Sequence, residues 1–538
     1  MESYDAIVIG GGHNGLTLAA YLQRAGMQTL LLERRHEWGS GLNTEEVTLP
    51  GFLHNLHAQY MEFIDYMPFY HDFGLEKLGA KMIYPVNQCG ITFADGRPPI
   101  IVHTPDHLDL TYKSIAQYSK RDAEVFCELK RKTMEVDHLF CTLYWNPPVP
   151  PAEESLRSGD EITAALLKHL GLGKEILSKS VKVAVDETYE TPELRMMLYR
   201  QSMEWGIPPE WEASGFGFIV SICWLIGIWK MCVGGTHTLS HAMESACRRE
   251  GVAMRENSLV KRIIVKAGRA AGVELADGTK FEARKVVASN ADLKQTLLEL
   301  AGRENLSSQW TRRTENFRIG PDHCLGTTAF ALKEAPDYKS AKWDEGINKT
   351  FYTIVGYETP DDVVNYIREA THGRIPARPG SGTWVNSLWD PTQAPPGKHA
   401  MTGWFFFPKA SELTPAEWDE VRSTYNEKFR QLWQQYAPNM KRDNVLADAL
   451  YTPLDIERKN LMREGCFSNG SIAPDQMGWM RPFPEASQYR TEIEGLYLCG
   501  PFTHPGGGVF AACGYNAFKS IAQDYDLPKL WEQTNRGY

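Results

Sequence analysis

The chain has 538 residues, which is too long for one ordinary hydrophobic core and predicts two or three domains. A hydrophobic fraction of 43% and a charged fraction of 23% are those of a globular protein, which excludes a mainly disordered or fibrous chain. The net charge of −10 argues against a nucleic-acid-binding protein, because contacts to phosphates need a basic surface.

The first predicted element is a strand–loop–helix–strand unit. An apolar strand at 4–9 leads directly into the loop GGGHNG, a helix to residue 25 and a second strand that ends at Glu33. In such a unit Gly10 permits the tight turn, Gly12 lets the backbone approach a pyrophosphate, and Gly15 allows close helix packing. The free N–H groups of the helix attract the phosphates, and the Glu33 carboxylate can accept ribose hydroxyls. The motif leaves NAD and FAD open, although a single copy in the chain favours FAD.

The next informative segment, 215–229, has fifteen residues without a charge. It is too short to span a membrane, so the simplest prediction is a buried helix or strand pair of the core. The alternatives are the wall of an apolar substrate channel and a surface that dips into a membrane.

A second region with the character of a dinucleotide-binding domain covers 234–290. A helix to about Glu250 is followed by strands at 252–255, 260–265 and 269–275, a turn at Asp277–Gly278 and an apolar strand at 285–290. This order predicts a β-meander that returns to the cofactor domain.

The third region lies near the C-terminus. A strand at 495–500 runs into a turn with three consecutive glycines, 506–508, and then into a helix at 511–522. Glycines before a helix let backbone N–H groups lie flush against a planar or anionic group, so we expect a second cofactor contact here.

These regions predict an α/β protein with a Rossmann-type cofactor domain assembled from residues 1–84, 231–296 and 485–538. The two aromatic-rich insertions, 85–230 and 297–484, are predicted to form an α+β substrate domain. The ten cysteines are scattered without a C-x-x-C pair, which is typical of reduced thiols in a cytoplasmic protein. No metal site is predicted, because the pair His54 and His57 lacks a clear third ligand.

Several motifs together resemble one known family. They are ERR at 33–35 followed by Gly39, TEE at 44–46, PGF at 50–52, SNAD at 289–292, DPT at 390–392 with APPGKH at 394–399, LYLCG at 496–500 and HPGGGV at 504–509. With them the chain resembles the bacterial-type phytoene desaturases, in the FAD-dependent carotenoid desaturase and isomerase group. The fold of that group is similar to glutathione reductase and amine oxidases.

The resemblance implies FAD as the cofactor. It implies that Glu33 binds the adenosine ribose, that the Val260 backbone meets the adenine, and that the C-terminal glycines lie beside the flavin. The full set of cofactor-binding residues expected in this way is Gly10, Gly12, His13, Asn14, Gly15, Glu33, Arg34, Gly41, Val260, Gly500, Gly507, Gly508 and Val509. The chain has Gly39–Ser40 where the family has paired glycines, and it lacks the arginine that follows them in amine oxidases.

A flavin accepts a hydride, so the protein must hold a substrate carbon against it and provide a group for the proton. The catalytic candidates are His504, His57, Tyr60 and Tyr515, and for each of them a structural hydrogen bond or a packing role is the alternative. An apolar substrate would be held mainly by burial, and aromatic faces could stabilise positive charge.

The leading hypothesis is an FAD-dependent oxidoreductase that removes a hydride and a proton from a hydrophobic isoprenoid, terpenoid or polyene. Desaturation is the expected direction, and isomerisation, saturation and hydroxylation remain open. The alternatives are an amine oxidase-like enzyme on a polar substrate and a non-enzymatic prenyl-binding protein on the same fold. Expected partners are a separate electron acceptor (oxygen, a quinone or a carrier protein), a homologous second subunit and, peripherally, a membrane surface.

Overall fold

The computed structural model describes residues 2–149, 158–320, 323–534 and 536. Most of the strands in this part of the chain belong to two seven-stranded sheets. In chain order, the strands are β1 (Glu2–Ile9), β2 (Thr29–Leu32), β3 (Thr44–Glu45), β4 (His54–Asn55), β5 (Met82–Ile83), β6 (Asn87–Ile91), β7 (Ile100–His103), β8 (Met231–Cys232), β9 (Ala253–Arg255), β10 (Val260–Lys266), β11 (Arg269–Leu275), β12 (Lys280–Ser289), β13 (Cys324–Leu332), β14 (Tyr352–Val355), β15 (Ser381–Trp384), β16 (His399–Phe407), β17 (Val445–Tyr451) and β18 (Leu496–Leu498).

Helices connect and cover these strands. In chain order, they are α1 (His13–Arg24), α2 (Pro68–Asp72), α3 (Leu108–Ala116), α4 (Lys120–Glu135), α5 (Asp137–Tyr144), α6 (Ser158–Leu170), α7 (Val181–Thr188), α8 (Pro192–Glu204), α9 (Gly215–Gly217), α10 (His237–Glu250), α11 (Ser308–Asn316), α12 (Pro360–Thr371), α13 (Pro415–Tyr436), α14 (Pro453–Asn460) and α15 (Ala512–Asp524). Two π-helices, Phe218–Leu225 and Gln295–Leu300, follow α9 and β12 respectively.

The first sheet has the order β10-β11-β12-β1-β2-β9, and β18 also pairs with β12. Strands β18, β12, β1, β2 and β9 run parallel, whereas β10, β11 and β12 form the antiparallel meander expected from the sequence. The centre of β1 is continuously apolar because both faces are covered: Ala6 and Val8 pack into one cluster, Ile7 and Ile9 into the other. The predicted Rossmann-type α/β architecture is confirmed.

The second sheet has the order β17-β13-β16-β15-β14-β6-β7 and is antiparallel except between β14 and β6. All of its strands fall within 87–103 and 324–451, inside the two predicted insertions. The strands of the first sheet fall within 2–32, 253–289 and 496–498, inside the three predicted cofactor segments. The domain boundaries themselves stay a prediction.

The uncharged stretch 215–229 forms the turn α9 and the π-helix Phe218–Leu225, and it does not form a strand pair. Two carbonyl groups near the end of the π-helix accept hydrogen bonds from side chains of α4. Lys130 donates to the Trp224 carbonyl oxygen, and the Thr133 hydroxyl donates to that of Cys223 at 2.7 Å. These bonds satisfy backbone groups that a π-helix leaves open at its C-terminal end.

The structure also bears on the predictions about the cysteines and about membrane-spanning helices. All ten cysteines lie in the described part of the chain, where they are buried and form no disulfide bond. Across the described ranges, the structure contains no helix with the length and apolar character needed to cross a membrane.

Candidate active site

A cavity of about 1050 Å³ lies between the first sheet and the second. Its wall includes Ile9 and Leu32, at the C-terminal ends of the parallel strands β1 and β2, and Leu325 and Trp404 from strands β13 and β16. The C-terminal edge of a parallel sheet is where α/β folds usually bind ligands. The cavity is therefore the candidate active site.

The nucleotide part of the cavity is built by the loop before α1 and by the end of β2. Helix α1 begins at His13 without a capping side chain, so its first N–H groups are open towards the cavity. His13 is half-buried, its buried Nε2 has no partner among the described residues, and desolvation lowers its pKa to about 4. The predicted cofactor residues that line the cavity are Gly10, Gly12, His13, Asn14, Glu33, Arg34, Gly41, Val260, Gly507, Gly508 and Val509.

Two further predicted glycines shape the loop from behind and do not line the cavity. A Cβ at Gly15 would lie 2.0 Å from the Gly10 carbonyl oxygen, so only glycine lets α1 pack this closely on the end of β1. A Cβ at Gly500 would lie 2.4 Å from the Phe502 ring. Both glycines act on backbone packing, and we assign them no direct contact to a cofactor.

The C-terminal glycine turn lies beside the start of α1. Backbone atoms of Ser468 leave no space for a side chain at Gly507, where a Cβ would lie 2.6 Å from the Ser468 carbonyl oxygen. The buried Arg481 fixes the surrounding loops by donating to the carbonyl oxygens of Ser471 at 2.6 Å and Pro501 at 2.7 Å. The turn therefore presents bare backbone to the cavity on a rigid support.

These features fit a dinucleotide with a planar ring system. The open helix terminus suits a pyrophosphate, and the cradle of glycines suits a flat ring. We propose that the lining residues of the nucleotide part hold the cofactor, with Glu33 at the ribose. Both Glu33 oxygens already accept backbone hydrogen bonds, from the N–H groups of Gly11 and Arg35 at 2.8 Å each, and each oxygen can accept one more.

We expect Glu33→Ala to weaken the binding of FAD by roughly 1–3 kcal/mol, because the charge-assisted ribose contacts are lost and the two amides lose their acceptor. Titration of the apoprotein with FAD, followed by flavin fluorescence, measures the change. The dissociation constant of FAD in Glu33→Gln, which keeps one carbonyl oxygen, should lie between those of Glu33→Ala and the wild type. An unchanged dissociation constant in Glu33→Ala contradicts the assignment.

The aromatic part of the cavity adjoins the glycine turn. Its wall is formed by Tyr60, Trp205, Val220, Trp404, Phe467 and Phe510, together with Glu62 and Glu204. The Glu204 side chain itself is fully buried behind this wall. The Tyr60 ring lies 5.9 Å from that of Trp404, and the Trp404 ring lies 6.4 Å from that of Phe467. The uncharged stretch contributes Phe216, Gly217, Val220 and Ser221 to the wall, so it belongs to both the core and the cavity.

The two carboxyl groups of the aromatic part differ in their surroundings. Burial raises the pKa of Glu62 to about 8, so this group is mainly protonated at neutral pH. Glu204 forms an ion pair with Arg200, with 2.6 Å between Oε1 and Nη1, and both side chains are fully buried. The Tyr352 hydroxyl also donates to Glu204 Oε1, at 2.5 Å.

The two predicted catalytic histidines line the cavity, and Nε2 of each serves a structural contact, whereas Nδ1 of each has no hydrogen-bond partner among the described residues. His504 Nε2 lies 2.7 Å from the Leu143 carbonyl oxygen, which can only accept, so this nitrogen carries the proton. His57 Nε2 contacts the Asn460 side chain. Burial lowers the pKa to about 4 for His504 and to about 3 for His57, so both are neutral at pH 7.

The structure separates the two predicted tyrosines. Tyr60 lines the cavity and stacks on Trp229 with 5.0 Å between ring centroids. Tyr515 is not part of the cavity wall; its ring packs against Tyr21 at 5.1 Å and under the Lys519 ammonium group. We therefore correct the expectation for Tyr515, because the face of α15 that carries it is turned into the core between α1 and α15.

Sequence reasoning missed Glu62, Arg200, Glu204 and Tyr352. For Arg200 and Glu204 the sequence contains one signal that could have revealed them. From Met196 to Glu204 every residue of helix α8 is buried, and four of them are Met196, Met197, Leu198 and Met203, yet this stretch carries an arginine and a glutamate four positions apart. Charged residues four positions apart in a methionine-rich helical stretch indicate a buried ion pair rather than a solvated face.

Known proteins share both the sequence pattern and the length of the chain. A family model described as FAD dependent oxidoreductase matches residues 5–425. A limonene dehydrogenase subunit of Castellaniella defragrans is 33% identical, with coverage of 99% of this chain and 97% of the relative. A lycopene-forming phytoene desaturase of Paracoccus sp. is 26% identical, with 96% of each chain covered, which confirms the resemblance at a distance.

Solved structures agree with the fold. Putrescine oxidase bound to putrescine superimposes with a TM-score of 0.61 at 12% identity, covering 97% of this chain and 99% of that chain. At this identity the likeness concerns the fold alone. The family model, which matches most of the chain, is described by its cofactor, FAD. The 33% identical relative is named a dehydrogenase, which is also an oxidoreductase. The chain belongs to the FAD-dependent oxidoreductase family.

Proposed function

We propose that this FAD-dependent oxidoreductase removes a hydride and a proton from a neutral, largely apolar terpenoid or other isoprenoid molecule bound in the aromatic part of the cavity. FAD, when bound, supplies the two-electron acceptor for the hydride. The chain's own residues bind the substrate, exclude water from it and hold the groups that handle the proton. The observation that carries this proposal is an aromatic wall beside which the buried carboxyl groups of Glu62 and Glu204 are neutralised.

The neutralisation follows from the surroundings of each acid. Glu62 carries a proton at neutral pH, and the charge of Glu204 is balanced by Arg200. A buried ammonium group is stabilised by an unbalanced carboxylate or by aromatic faces, whereas an apolar molecule needs no charge at all. For an amine substrate, this cavity therefore offers aromatic faces but no net negative charge at pH 7.

Two further points support a compact hydrocarbon. The relatives from Castellaniella defragrans and Paracoccus sp. are named for limonene and phytoene, both of which are hydrocarbons. The volume of about 1050 Å³ must hold FAD as well as the substrate, which favours a terpene over a long polyene. The hypothesis of a non-enzymatic prenyl-binding protein is not retained, because the family is one of oxidoreductases.

A separate electron acceptor and a homologous second subunit complete the proposal. The relative from Castellaniella defragrans is named as one subunit of its dehydrogenase, which supports assembly with a second chain. The electrons would leave to oxygen, a quinone or a carrier protein.

Equilibrium binding of two molecules with one skeleton tests the proposal. Limonene and perillyl amine differ by an ammonium group, and binding of either can be followed by quenching of tryptophan fluorescence, because Trp205 and Trp404 line the cavity. At pH 7 we expect limonene to bind at least about tenfold more tightly than the amine. Tighter binding of perillyl amine contradicts the proposal and favours amine oxidation.

The affinity for limonene should depend on pH through Glu62. Below about pH 8 its carboxyl group is neutral, and above that value a carboxylate must be reprotonated or desolvated before an apolar molecule can bind. The neighbouring charges are those of Lys230 and Glu204. We expect a constant dissociation constant from pH 6 to 7 and an increase approaching about tenfold per pH unit above 8.

The matched control is Glu62→Gln, which keeps the shape and removes the titration. Its dissociation constant for limonene should be independent of pH over the same range. An equal pH dependence in both proteins would show that another group is responsible.

A further inference from the structure

The five residues 459–463, at the C-terminal end of α14, form part of the cavity wall without belonging to the core. Asn460, Leu461 and Met462 line the cavity. None of the five residues is fully buried, and Leu461 is 40% exposed. A segment with few buried apolar contacts has a low local stability, so it can open while the rest of the protein stays folded.

One end of this segment is fastened beside strand β2. Arg35 Nη1 donates to Asn460 Oδ1 at 2.8 Å, and the Arg34 guanidinium group donates to the Lys459 carbonyl oxygen. The two arginines directly follow Glu33, whose carboxylate accepts a backbone hydrogen bond from the loop before α1. This end of the segment therefore lies next to the loop that suits a pyrophosphate.

The other end is fastened beside strand β12. Arg463 Nε lies 3.0 Å from Asp292 Oδ1, and Arg463 Nη2 lies 2.8 Å from Glu299 Oε1. Asp292 is close in the chain to Asn290, whose side chain donates to the Gly10 carbonyl oxygen at 3.4 Å. Because β1 lies between β2 and β12 in the first sheet, the two anchors are on either side of the strand that leads into the pyrophosphate loop.

Asn460 also connects the segment to His57, one of the predicted catalytic residues. Its Oδ1 accepts from Arg35, so its amide nitrogen is the donor to His57 Nε2. Burial, together with the charges of Lys459 and Arg35, lowers the pKa of His57 to about 3, so the ring stays neutral and Nε2 remains an acceptor at pH 7. This nitrogen of His57 therefore serves to hold the segment.

The backbone of the segment has the conformation expected at hinges. Leu461 has a φ of 56° and Glu464 a φ of 62°, both in the left-handed region that side chains other than glycine rarely adopt. Such residues recur at ligand clamps and in switch segments, where the surrounding contacts hold them in place. Ile456 before the segment and Cys466 after it are buried, so they fix its two ends.

We propose that residues 459–463 form a latch over the nucleotide part of the cavity, and that the latch must open for FAD to enter or to leave. It opens when the contacts of Asn460 and Arg463 break. Arg35 and Asp292 are positioning residues, since they hold the latch through these contacts. The inference goes beyond the proposed function, because it concerns the exchange of the cofactor and not the reaction.

A latch has a distinct kinetic signature. If binding and release both require the open form, the fraction of open molecules limits both rate constants by the same factor. Weakening a contact within the protein then raises the association and the dissociation rate constants together, so their ratio, the dissociation constant, changes little. Loss of a direct contact to FAD acts mainly on the dissociation rate constant.

The test measures FAD exchange in Asn460→Ala, which removes the contacts to Arg35 and His57 without a change of charge. We expect both rate constants to rise at least about fivefold, because a hydrogen bond to a charged group is lost, and the dissociation constant to change by less than about threefold. Association with the apoprotein is followed by stopped-flow quenching of flavin fluorescence, and dissociation by the recovery of this fluorescence after dilution.

A second variant, Arg463→Lys, weakens the other end and keeps a positive charge beside Asp292. Lysine lacks the planar fork that reaches both carboxylates, so both rate constants should again rise, by at least about threefold. The control is Arg422→Ala, which removes an ion pair of 2.7 Å between α13 and Asp455 of α14, neither of whose partners lines the cavity. Its rate constants should equal those of the wild type.

The outcomes separate a latch from a fixed contact. A rise of the dissociation rate constant alone would show that the segment binds FAD directly, which overturns the latch. Unchanged rate constants in both variants overturn it as well. No substrate takes part in this experiment, so a failure here leaves the proposed function standing.

Discussion

Replacing Gly15 by alanine should yield a protein that no longer retains FAD. The added Cβ would lie 2.0 Å from the Gly10 carbonyl oxygen, a backbone atom that cannot move without opening the loop between β1 and α1. Overpacking of this kind costs roughly 3 kcal/mol, so the dissociation constant of FAD should rise by about 100-fold. The ratio of flavin to protein absorbance after gel filtration measures the loss.

A second glycine, Gly514 of α15, tests the packing around the start of α1 in the same way. A Cβ at Gly514 would lie 2.1 Å from the Asn14 carbonyl oxygen, so Gly514→Ala should separate α15 from α1 and also release FAD. The control is Gly217→Ala, in the aromatic part of the cavity, whose methyl group would lie 2.4 Å from the flexible end of Ile207 and in ordinary contact with Val181 at 3.4 Å. Equal FAD retention in Gly15→Ala and in the control contradicts the assigned role of the loop.

Replacing Val220 by aspartate should abolish the binding of limonene while FAD stays bound. Val220 is 6% exposed and lines the aromatic part, so the new carboxyl group would face an apolar ligand without a partner. We expect a loss of affinity of roughly 3 kcal/mol, or about 100-fold. Fluorescence quenching by limonene measures the loss, and the flavin absorbance reports the retained cofactor.

Val220→Thr is the matched control, because it has nearly the same shape and only a hydroxyl group is added. It should weaken binding by a few-fold. Ile222 and Ile226 are unsuitable for this test: both are buried and neither lines the cavity, so a charge there would disrupt the core. Unchanged limonene binding in Val220→Asp would place the substrate elsewhere.

The parts of the site that the sequence predicts are those whose chemistry is local. The loop from Gly10 to Gly15 and the acid at Glu33 belong to one continuous unit, so their spacing alone indicates a dinucleotide. The three segments of the first sheet could be located because each has its own strand and turn signals. These signals need no knowledge of how the chain folds back on itself.

The aromatic part depends on contacts between distant segments, which spacing does not reveal. Tyr352 lies 148 positions from Glu204, and their hydrogen bond exists only once β14 and α8 are packed together. The sequence of a fully buried helix also does not show which of its faces points to the cavity, because the helix has no polar side to set its orientation. For this reason Tyr515 was expected at the site, and the cavity-facing Val220 could not be told from Ile222.

The most direct test of the central claim, that the chain oxidises a neutral apolar molecule, is an anaerobic single-turnover reaction of the FAD-loaded protein with limonene, with analysis of the product by mass spectrometry. We predict loss of the oxidised flavin absorbance and, for each flavin reduced, one product molecule that has two hydrogens fewer than limonene. Perillyl amine, tested in parallel, should reduce the flavin far more slowly. Rapid reduction by the amine, with no reduction by limonene or any other neutral terpene or polyene, would contradict the claim.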